Sequence, residues 1–542
     1  MLSTRRVPRH YLLAPSEPTP NGPLHLGHIA GPFLRTDVLA RFLRLRGDLP
    51  VVMTGTDAYE PWVAMKARTS GTDPMTVASH YHREIRTDLE ALRIGIDTFV
   101  DPVEEPWHTE FREEIDSCVR RLRERGAIVT RTERMPYDPG GGRFVIGPLL
   151  LGGCPDCGAE VAGYFCEECG AHFRPEEITG PRARFAEDEE HWEWRDVESL
   201  FVRTVTPAEL ETEFDRLDLA ERHRDTVRAL VRRCGGGFRL SVPERWGMPL
   251  PGHLPGHPGH GPVPASLFSY AGCFMFARLM GELHRRRIGA EANSFSPLSD
   301  VVTVTSLGSD NIVPTVLCIN AVALVHGDTR PYDRCLINEF HLLEGEKFST
   351  SRKHAIRAST VARVPGLPVD ATRHYLALVS PETRQTDFVV REFLAHVNGR
   401  LAGELESRVE AAWKSRPEVP GPLPGRVLTA LNDRLERMER ALDGPTVRLV
   451  ETCAVLDSWI DAFADGGDTP DWHYWWLKGV ALLGHPLMPD YCTDLWHRLG
   501  AHGEPNTADF TDTTPPSPGA YARWFHPVSE ADFAPCLPAS LR

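Results

Sequence analysis

The chain has 542 residues, 41% hydrophobic and 25% charged, with a net charge of −15. That length exceeds what one hydrophobic core serves and predicts several domains, and the acidic balance excludes polyanion binding over the whole surface while leaving room for a local basic stripe. The opening residues (MLSTRRVPRHYLLAP) hold no apolar run long enough for a signal peptide, and no stretch reads as membrane-spanning, so a cytoplasmic protein without a membrane partner is expected.

In residues 1–114, HYLLAP reads as a buried strand, followed by a Gly/Pro loop and a helix from about His25 to Leu45. DLPVVMTGTDA then reads as a second buried strand, which makes a βαβ unit of a parallel sheet. Ligands of such sheets sit at the carboxyl ends of strands, where Asn21, His25, His28 and Asp57 fall. Within Pro20-Asn21-Gly22-Pro23-Leu24-His25-Leu26-Gly27-His28, two histidines three apart share one helix face, and Gly27 leaves room for a flat ring. A helix amino terminus with imidazole donors suits phosphates. Alone, the pair reads equally well as two surface histidines at a helix cap.

Residues 115–235 read as an insertion. Arg120, Arg121, Arg123 and Arg125 on one helix, with Arg285, Arg286 and Arg287 further on, are candidate basic stripes or, more simply, solvated helix faces. Of the twelve cysteines, Cys154, Cys157, Cys166 and Cys169 form two Cys-x-x-Cys pairs eight residues apart, each followed by glycine. Four thiolates so spaced predict a closed tetrahedral Zn²⁺ site of structural role. Two redox pairs are the alternative, without a thioredoxin-like context to support it. His253, His257 and His260 fall in a Pro/Gly-rich loop whose irregular spacing argues against a metal site.

Residues 236–330 return to strand-then-helix pattern as the second half of a split nucleotide-binding fold, 331–365 form a linker, 366–505 a helical bundle and 506–542 a Pro-rich tail. The linker carries Glu346-Lys347-Phe348-Ser349-Thr350-Ser351-Arg352, a polar loop with a cation and hydroxyl donors. Attack of a carboxylate on the α-phosphorus of ATP needs such donors preorganised where charge grows.

His-x-Gly-His followed far downstream by a Lys-x-Ser-x-Ser loop resembles the two-part signature of class I aminoacyl-tRNA synthetases. ASHYHREIRTDLEALRI, MPYDPGGGRF and SPETRQTDFVVREFLAHVN are similar to methionyl-tRNA synthetases, a resemblance running from Tyr11 to Asn398. It implies an α/β fold: a split Rossmann-like catalytic domain, a zinc-knuckle insertion and a C-terminal α-helical bundle. It also implies ATP, Mg²⁺ and structural Zn²⁺ as cofactors, and an amino acid and tRNA as partners. His25 and His28 would stabilise the ATP phosphates, Gly27 would pack under adenine, and Lys347 would contact the β- and γ-phosphates on a mobile loop. Asn21, Ser349 and Ser351 complete the implied ATP set, and Asp57 would hold the substrate α-ammonium. Thr350 stands where the family usually has a second lysine, which weakens the loop's charge.

The implied amino-acid pocket departs from the family. Glu17 and Thr19 replace an apolar residue and a tyrosine, the stretch Ser266–Cys273 has other residues at the places of the family's Trp and Tyr, and Thr315 takes the place of a histidine. A thioether wants an apolar slot, in which an unpaired ionised Glu17 is costly. Either the recognised side chain is polar or cationic, or Glu17 points to solvent. The bundle lacks the family's Asn/Arg-rich helix, and Trp472, Trp475 and Trp476 either stack on bases or, as helical spacing favours, pack in the core. Two activities are therefore expected as alternatives. One is amino-acid activation and transfer to tRNA, like a methionine–tRNA ligase. The other is a repurposed paralogue activating a polar or cationic amino acid for small-molecule biosynthesis, with tRNA or another acceptor.

Overall fold

The structure, a computed structural model, describes residues 7–166, 168–185, 192–251, 265–350, 352–466 and 469–542. Ser351 and the loop histidines His253, His257 and His260 lie outside the described residues.

Five strands, β1 (His10–Pro15), β2 (Leu49–Gly55), β3 (Thr98–Val100), β4 (Val302–Gly308) and β5 (Arg334–Asn338), form one sheet in the order β5-β4-β1-β2-β3. Every pairing in it is parallel. The continuous apolar runs of β1 and β2 suit strands covered on both faces. Tyr11 and Leu13 of β1 point into one core, while Leu12 and Ala14 point into the other. The first core contains helix α1 (Leu34–Leu45) and merges with the carboxy-terminal bundle; the second is filled by α3 (Trp107–Glu124) and α4 (Ser269–Ile288). Chain progression runs outward in opposite directions from the β1/β4 pair, so a crevice opens at the carboxyl ends of those two strands.

The helical segment Ser309–His326 corrects one expectation, since its length and apolarity would allow it to cross a membrane. It is instead a core helix with 72% of that stretch buried, because it follows β4 and must cover the sheet. The insertion is built on a long antiparallel pair, Ile128–Asp138 with Glu193–Arg203, edged by Gly237–Arg239. The buried ion pair of Glu133 and Arg239 locks its three strands. Beside it, Leu150–Gly153 pairs with Glu160–Ala162 and Thr179–Ala183 to carry the cysteine cluster.

Buried charges anchor the bundle to the sheet. Arg35 on α1 donates to the carbonyls of Ile337 (2.7 Å) and Val447 (2.9 Å). Asp37 receives Arg41 at 2.8 Å and the buried Arg373 at 2.6 Å. The base-stacking alternative for the bundle tryptophans is overturned for Trp475 and Trp476, which are fully buried. The Trp459 indole donates to the Trp476 carbonyl (3.0 Å) and the Trp476 indole to that of Trp459 (2.9 Å), so packing two helices together satisfies both polar edges. The basic rows read as solvated faces, because acids meet them: Arg121 pairs with Asp328, Arg286 with Glu110 and Arg287 with Asp97.

The Pro-rich tail lies against the bundle. Asn398 exchanges two hydrogen bonds with Val528 (2.9 and 2.8 Å), Glu406 accepts from the amides of Trp524 and Phe525, and Phe525 and Phe533 are fully buried. Phe525→Ala or Phe533→Ala should each cost about 3–5 kcal/mol of stability by denaturant unfolding; a loss below about 1 kcal/mol would show that the tail is not integral to the fold.

Candidate active site

The His-x-Gly-His turn opens a helix at the carboxyl end of β1. The amide of His25 donates to Nδ1 of His28 (3.2 Å), and the amide of His28 donates to Nδ1 of His25 (3.4 Å). The two rings stack with centroids 3.7 Å apart. Burial lowers the His28 pKa to about 4, and burial, followed by the neighbouring imidazoles of His28 and His341, holds that of His25 well below its ordinary value. Both rings are neutral at pH 7. Each uses Nδ1 as an acceptor, so the proton resides on Nε2, which is then a hydrogen-bond donor.

The downstream loop reaches this turn. Phe348 stacks on His25 at 4.8 Å, and a Cβ on Gly27 would stand 2.9 Å from the Phe348 ring, so glycine is what lets the ring lie there. The flat ring that Gly27 admits here is therefore phenylalanine. Ser349 closes a tight hairpin with His354 through two backbone hydrogen bonds of 2.8 and 2.9 Å. Lys347 lies over the Phe340 ring, and its Nζ is 3.6 Å from Glu168, between the second pair of cysteines. Both groups are partly exposed, and such a pair is weak enough for a triphosphate to displace.

A buried carboxylate holds the two signature segments together. Asp88, on α2 (Pro74–Ala91), accepts from the amides of Leu24 (2.9 Å) and Ser359 (3.1 Å) and from Nε of Arg357 (3.0 Å). Backbone hydrogen bonds from Leu26 to Ile356 and from Ala358 to Leu24, both 3.0 Å, complete the seam.

Beside the histidines lies a cleft of about 400 Å³ at the ends of β1 and β2. Glu17 and Asp57 both line it. The Asp57 amide donates to the Pro18 carbonyl (3.2 Å) and Thr54 Oγ1 to that of Pro15 (2.8 Å), which draws the two loops side by side. Burial raises the pKa of Asp57 to about 7; burial, augmented by Asp57, raises that of Glu17 to about 8. Gly55 is needed nearby, where a Cβ would meet the Val100 carbonyl at 2.3 Å and the Phe276 ring at 2.8 Å.

Three expected pocket residues are not among its lining. Thr19 sits in the turn where its carbonyl accepts from the Asn21 amide, at the approach to the histidines. Ser266 is turned away in a two-stranded ladder, its hydroxyl donating to the Glu244 carbonyl at 2.8 Å. Thr315 is buried within the helical segment that covers the sheet. The cleft wall is supplied one turn beyond Ser266, by Ser269, Gly272, Cys273 and Phe276 of α4. Their spacing of 3, 1 and 3 residues puts them on one helix face, a pattern legible in SYAGCFMF. Phe348 was the other omission, and its place inside the signature loop was the available signal.

The cysteine cluster fits zinc. All four sulfurs lie within 4.8 Å of one another, with Cys154–Cys169 at 3.7 Å and Cys157–Cys166 at 3.6 Å. A tetrahedron of Zn–S bonds near 2.3 Å has edges of about 3.8 Å. Gly158 and Gly170 take φ of 77° and 76°, and the Asp156 amide faces the Cys154 sulfur at 3.4 Å. None of the sulfurs is disulfide-bonded.

A parallel sheet split by a knuckle-bearing insertion, with a histidine pair meeting a distant lysine loop at its switch point, defines the class I synthetase catalytic core. The family model for class I tRNA synthetases (M) matches residues 11–260 and 285–411, and the chain belongs to that family. Curated relatives include the methionine–tRNA ligases of Cytophaga hutchinsonii (27% identical, covering 73% of this chain and 57% of the relative) and Methanopyrus kandleri (30%, covering 71% and 56%). The ligase of Thermococcus onnurineus is 27% identical over 90% of this chain and 70% of its own. The matches thus span little more than half the length of two of these relatives. Among solved structures, two of Mycobacterium tuberculosis methionyl-tRNA synthetase with methionyl-adenylate superpose with TM-scores of 0.69 and 0.71. Both are 19% identical; they cover 95% and 96% of this chain and 99% and 100% of their own, a likeness of fold.

Asp88→Ala should remove about 2–4 kcal/mol of stability by leaving the amides of Leu24 and Ser359 without an acceptor, while Arg357 keeps its pairing with Glu84; a change under about 1 kcal/mol in denaturant unfolding would refute its role as the seam. The purified chain should carry one equivalent of zinc by elemental analysis, and Cys154→Ala should lose it and lower the melting temperature. An undiminished zinc content in that variant would contradict the four-sulfur site.

Proposed function

We propose that the chain activates an amino acid with ATP, forming an aminoacyl-adenylate and pyrophosphate, and passes the aminoacyl group to tRNA. The observation that carries this reading is the convergence of the His25–His28 pair, the Lys347 loop and the Asp57 cleft at one switch point. Asp57 takes the α-ammonium and so orients the carboxylate, one oxygen of which attacks the α-phosphorus while the bond to pyrophosphate breaks. The Nε2 donors of His25 and His28 meet the charge growing on the phosphates, and being neutral they cost less to hold out of water than charged donors would. Lys347 leaves Glu168 for the departing pyrophosphate, assisted by Asn21 and the hydroxyls of Ser349 and Ser351. Mg²⁺, bound with the nucleotide, would supply further charge neutralisation. The four cysteines leave no open position for a substrate, so the role of the cluster is to hold the insertion, including Glu168, against the loop.

Asp57 with its pKa near 7 must be ionised to hold an ammonium, so activation should strengthen as pH rises through that value. The cytoplasm, with its ATP, amino acids and tRNA, is the matching location. A second reading, in which the acceptor is not tRNA, draws on the acid-paired arginine rows and the buried bundle tryptophans, which offer no evident RNA face among the described residues.

Amino-acid-dependent ATP–pyrophosphate exchange tests the activation step. His28→Ala should lower it by about 10²–10³ in kcat; exchange unaffected by that change would sink the assignment. Charging of tRNA, measured alongside, separates the acceptors: exchange without charging favours the second reading.

A further inference from the structure

We propose that the amino-acid cleft selects a substrate with a positively charged side chain, its α-ammonium against Asp57 and its side-chain amine or guanidine against Glu17. The inference rests on the activation reading above and names the substrate class of that site.

Glu17 lines the cleft together with Asp57, and both are partly exposed through its mouth. The other lining residues are Thr56, Ala58, Tyr59, Pro102, four on α4, and the apolar side chains of Phe111, Met248 and Leu267, so no cation is among them. Elsewhere among the described residues, no arginine, lysine or histidine forms an ion pair with either carboxylate. The titratable groups whose charge is felt between Glu17 and its surroundings are Asp57, Cys273 and Tyr332, and Asp57 is felt in turn by Glu60; none of them is a cation. The α-ammonium of a substrate can satisfy one of the two carboxylates. The second remains without a counter-charge unless the substrate brings one.

A further polar atom is unsatisfied in the same wall. Ser269 is 7% exposed and its hydroxyl has no hydrogen-bond partner. The hydroxyl of Thr56, by contrast, is already engaged by His82 at 3.0 Å. An ammonium or guanidinium carries several N–H donors and can serve a carboxylate and a hydroxyl at once. The apolar walls suit the methylene stem of such a side chain. A thioether offers Glu17 no donor and would leave it either ionised and unpaired or holding a proton. The empty cleft keeps its protons, since burial raises both carboxylates toward pH 7–8; a bound cation pulls them into the ionised form.

The experiment is ATP–pyrophosphate exchange by the full chain with lysine, ornithine, 2,4-diaminobutyrate, arginine, methionine and norleucine. Exchange should be driven by one of the cationic amino acids with kcat/KM at least about 10²-fold above methionine. Glu17→Gln should remove most of that ratio while leaving ATP binding intact, and should abolish the rise in kcat/KM near pH 8 that follows ionisation of Glu17 in the wild type. Glu17→Leu should move the preference toward methionine and norleucine. Methionine as the best substrate of the wild type, or an unchanged ratio in folded Glu17→Gln, would overturn the inference while leaving the activation chemistry standing. Absence of exchange with every amino acid would instead sink the activation reading. In that event calorimetric titration of the wild type decides the cleft alone: tighter binding of a cationic amino acid than of methionine supports the inference, and equal or weaker binding overturns it.

Discussion

The arrangement of this site depends on one buried carboxylate. Asp88 is fully inaccessible and accepts hydrogen bonds from Leu24 and, more than three hundred residues further along the chain, from Arg357 and Ser359. A carboxylate in that position is tolerable only with its lone pairs occupied, so the requirement to satisfy it fixes the seam between the histidine turn and the lysine loop. Everything at the phosphate end follows from that seam. The backbone bonds from Leu26 to Ile356 and from Ala358 to Leu24 bring the loop alongside the turn, where Phe348 stacks on His25 and Gly27 supplies the clearance.

Around the seam, burial decides the charge of each group before any substrate arrives. The histidines are held neutral and the cleft carboxylates are pushed toward their protonated forms. The imidazoles at one end are therefore uncharged, and the carboxyls at the other hold their protons more tightly than ordinary acids. In the proposed activity, ATP would bring anions to neutral donors and the amino acid would bring a cation to weakened acids. Linkage runs the same way for stability. Acids whose folded pKa is raised bind more protons folded than unfolded between their ordinary pKa and pH 7–8, so stability contributed below that window is lost as pH rises through it. The fold therefore carries a strain at its active site that substrate relieves.

The departures from the methionyl-tRNA synthetase pattern are concentrated where recognition occurs, with Thr350 the one departure noted in the lysine loop. His25, His28, Asp57 and Lys347 converge, whereas the side-chain end of the cleft has gained an acid, and the bundle's aromatics are turned inward to hold helices. Fold and adenylate chemistry place different demands on a chain from those of substrate choice. The first set needs a switch point and donors; the second needs a few side chains on one wall.

Much of this was determined by sequence alone, because it depends on local patterning. Apolar runs predict the buried parallel strands, the Cys-x-x-Cys pairs with their glycines predict the sulfur cluster, and the two signature segments predict the phosphate site. Glu17 and Asp57 were legible as well, since each follows directly from the end of a strand. Residues brought in by distant elements were not. Ser269, Cys273 and Phe276 line the cleft because α4 presents that face to β1 and β2, while Ser266, only three residues away, turns into a ladder with Val242. Ser309–His326 passes for a membrane span by composition and is a core helix by placement. Asp88 looks like any helix acid until Leu24 and Arg357 are packed against it. Periodicity states which face of a segment is apolar, but which neighbour that face meets, and hence which polar group is left buried and must be satisfied, is settled only when the whole chain is packed.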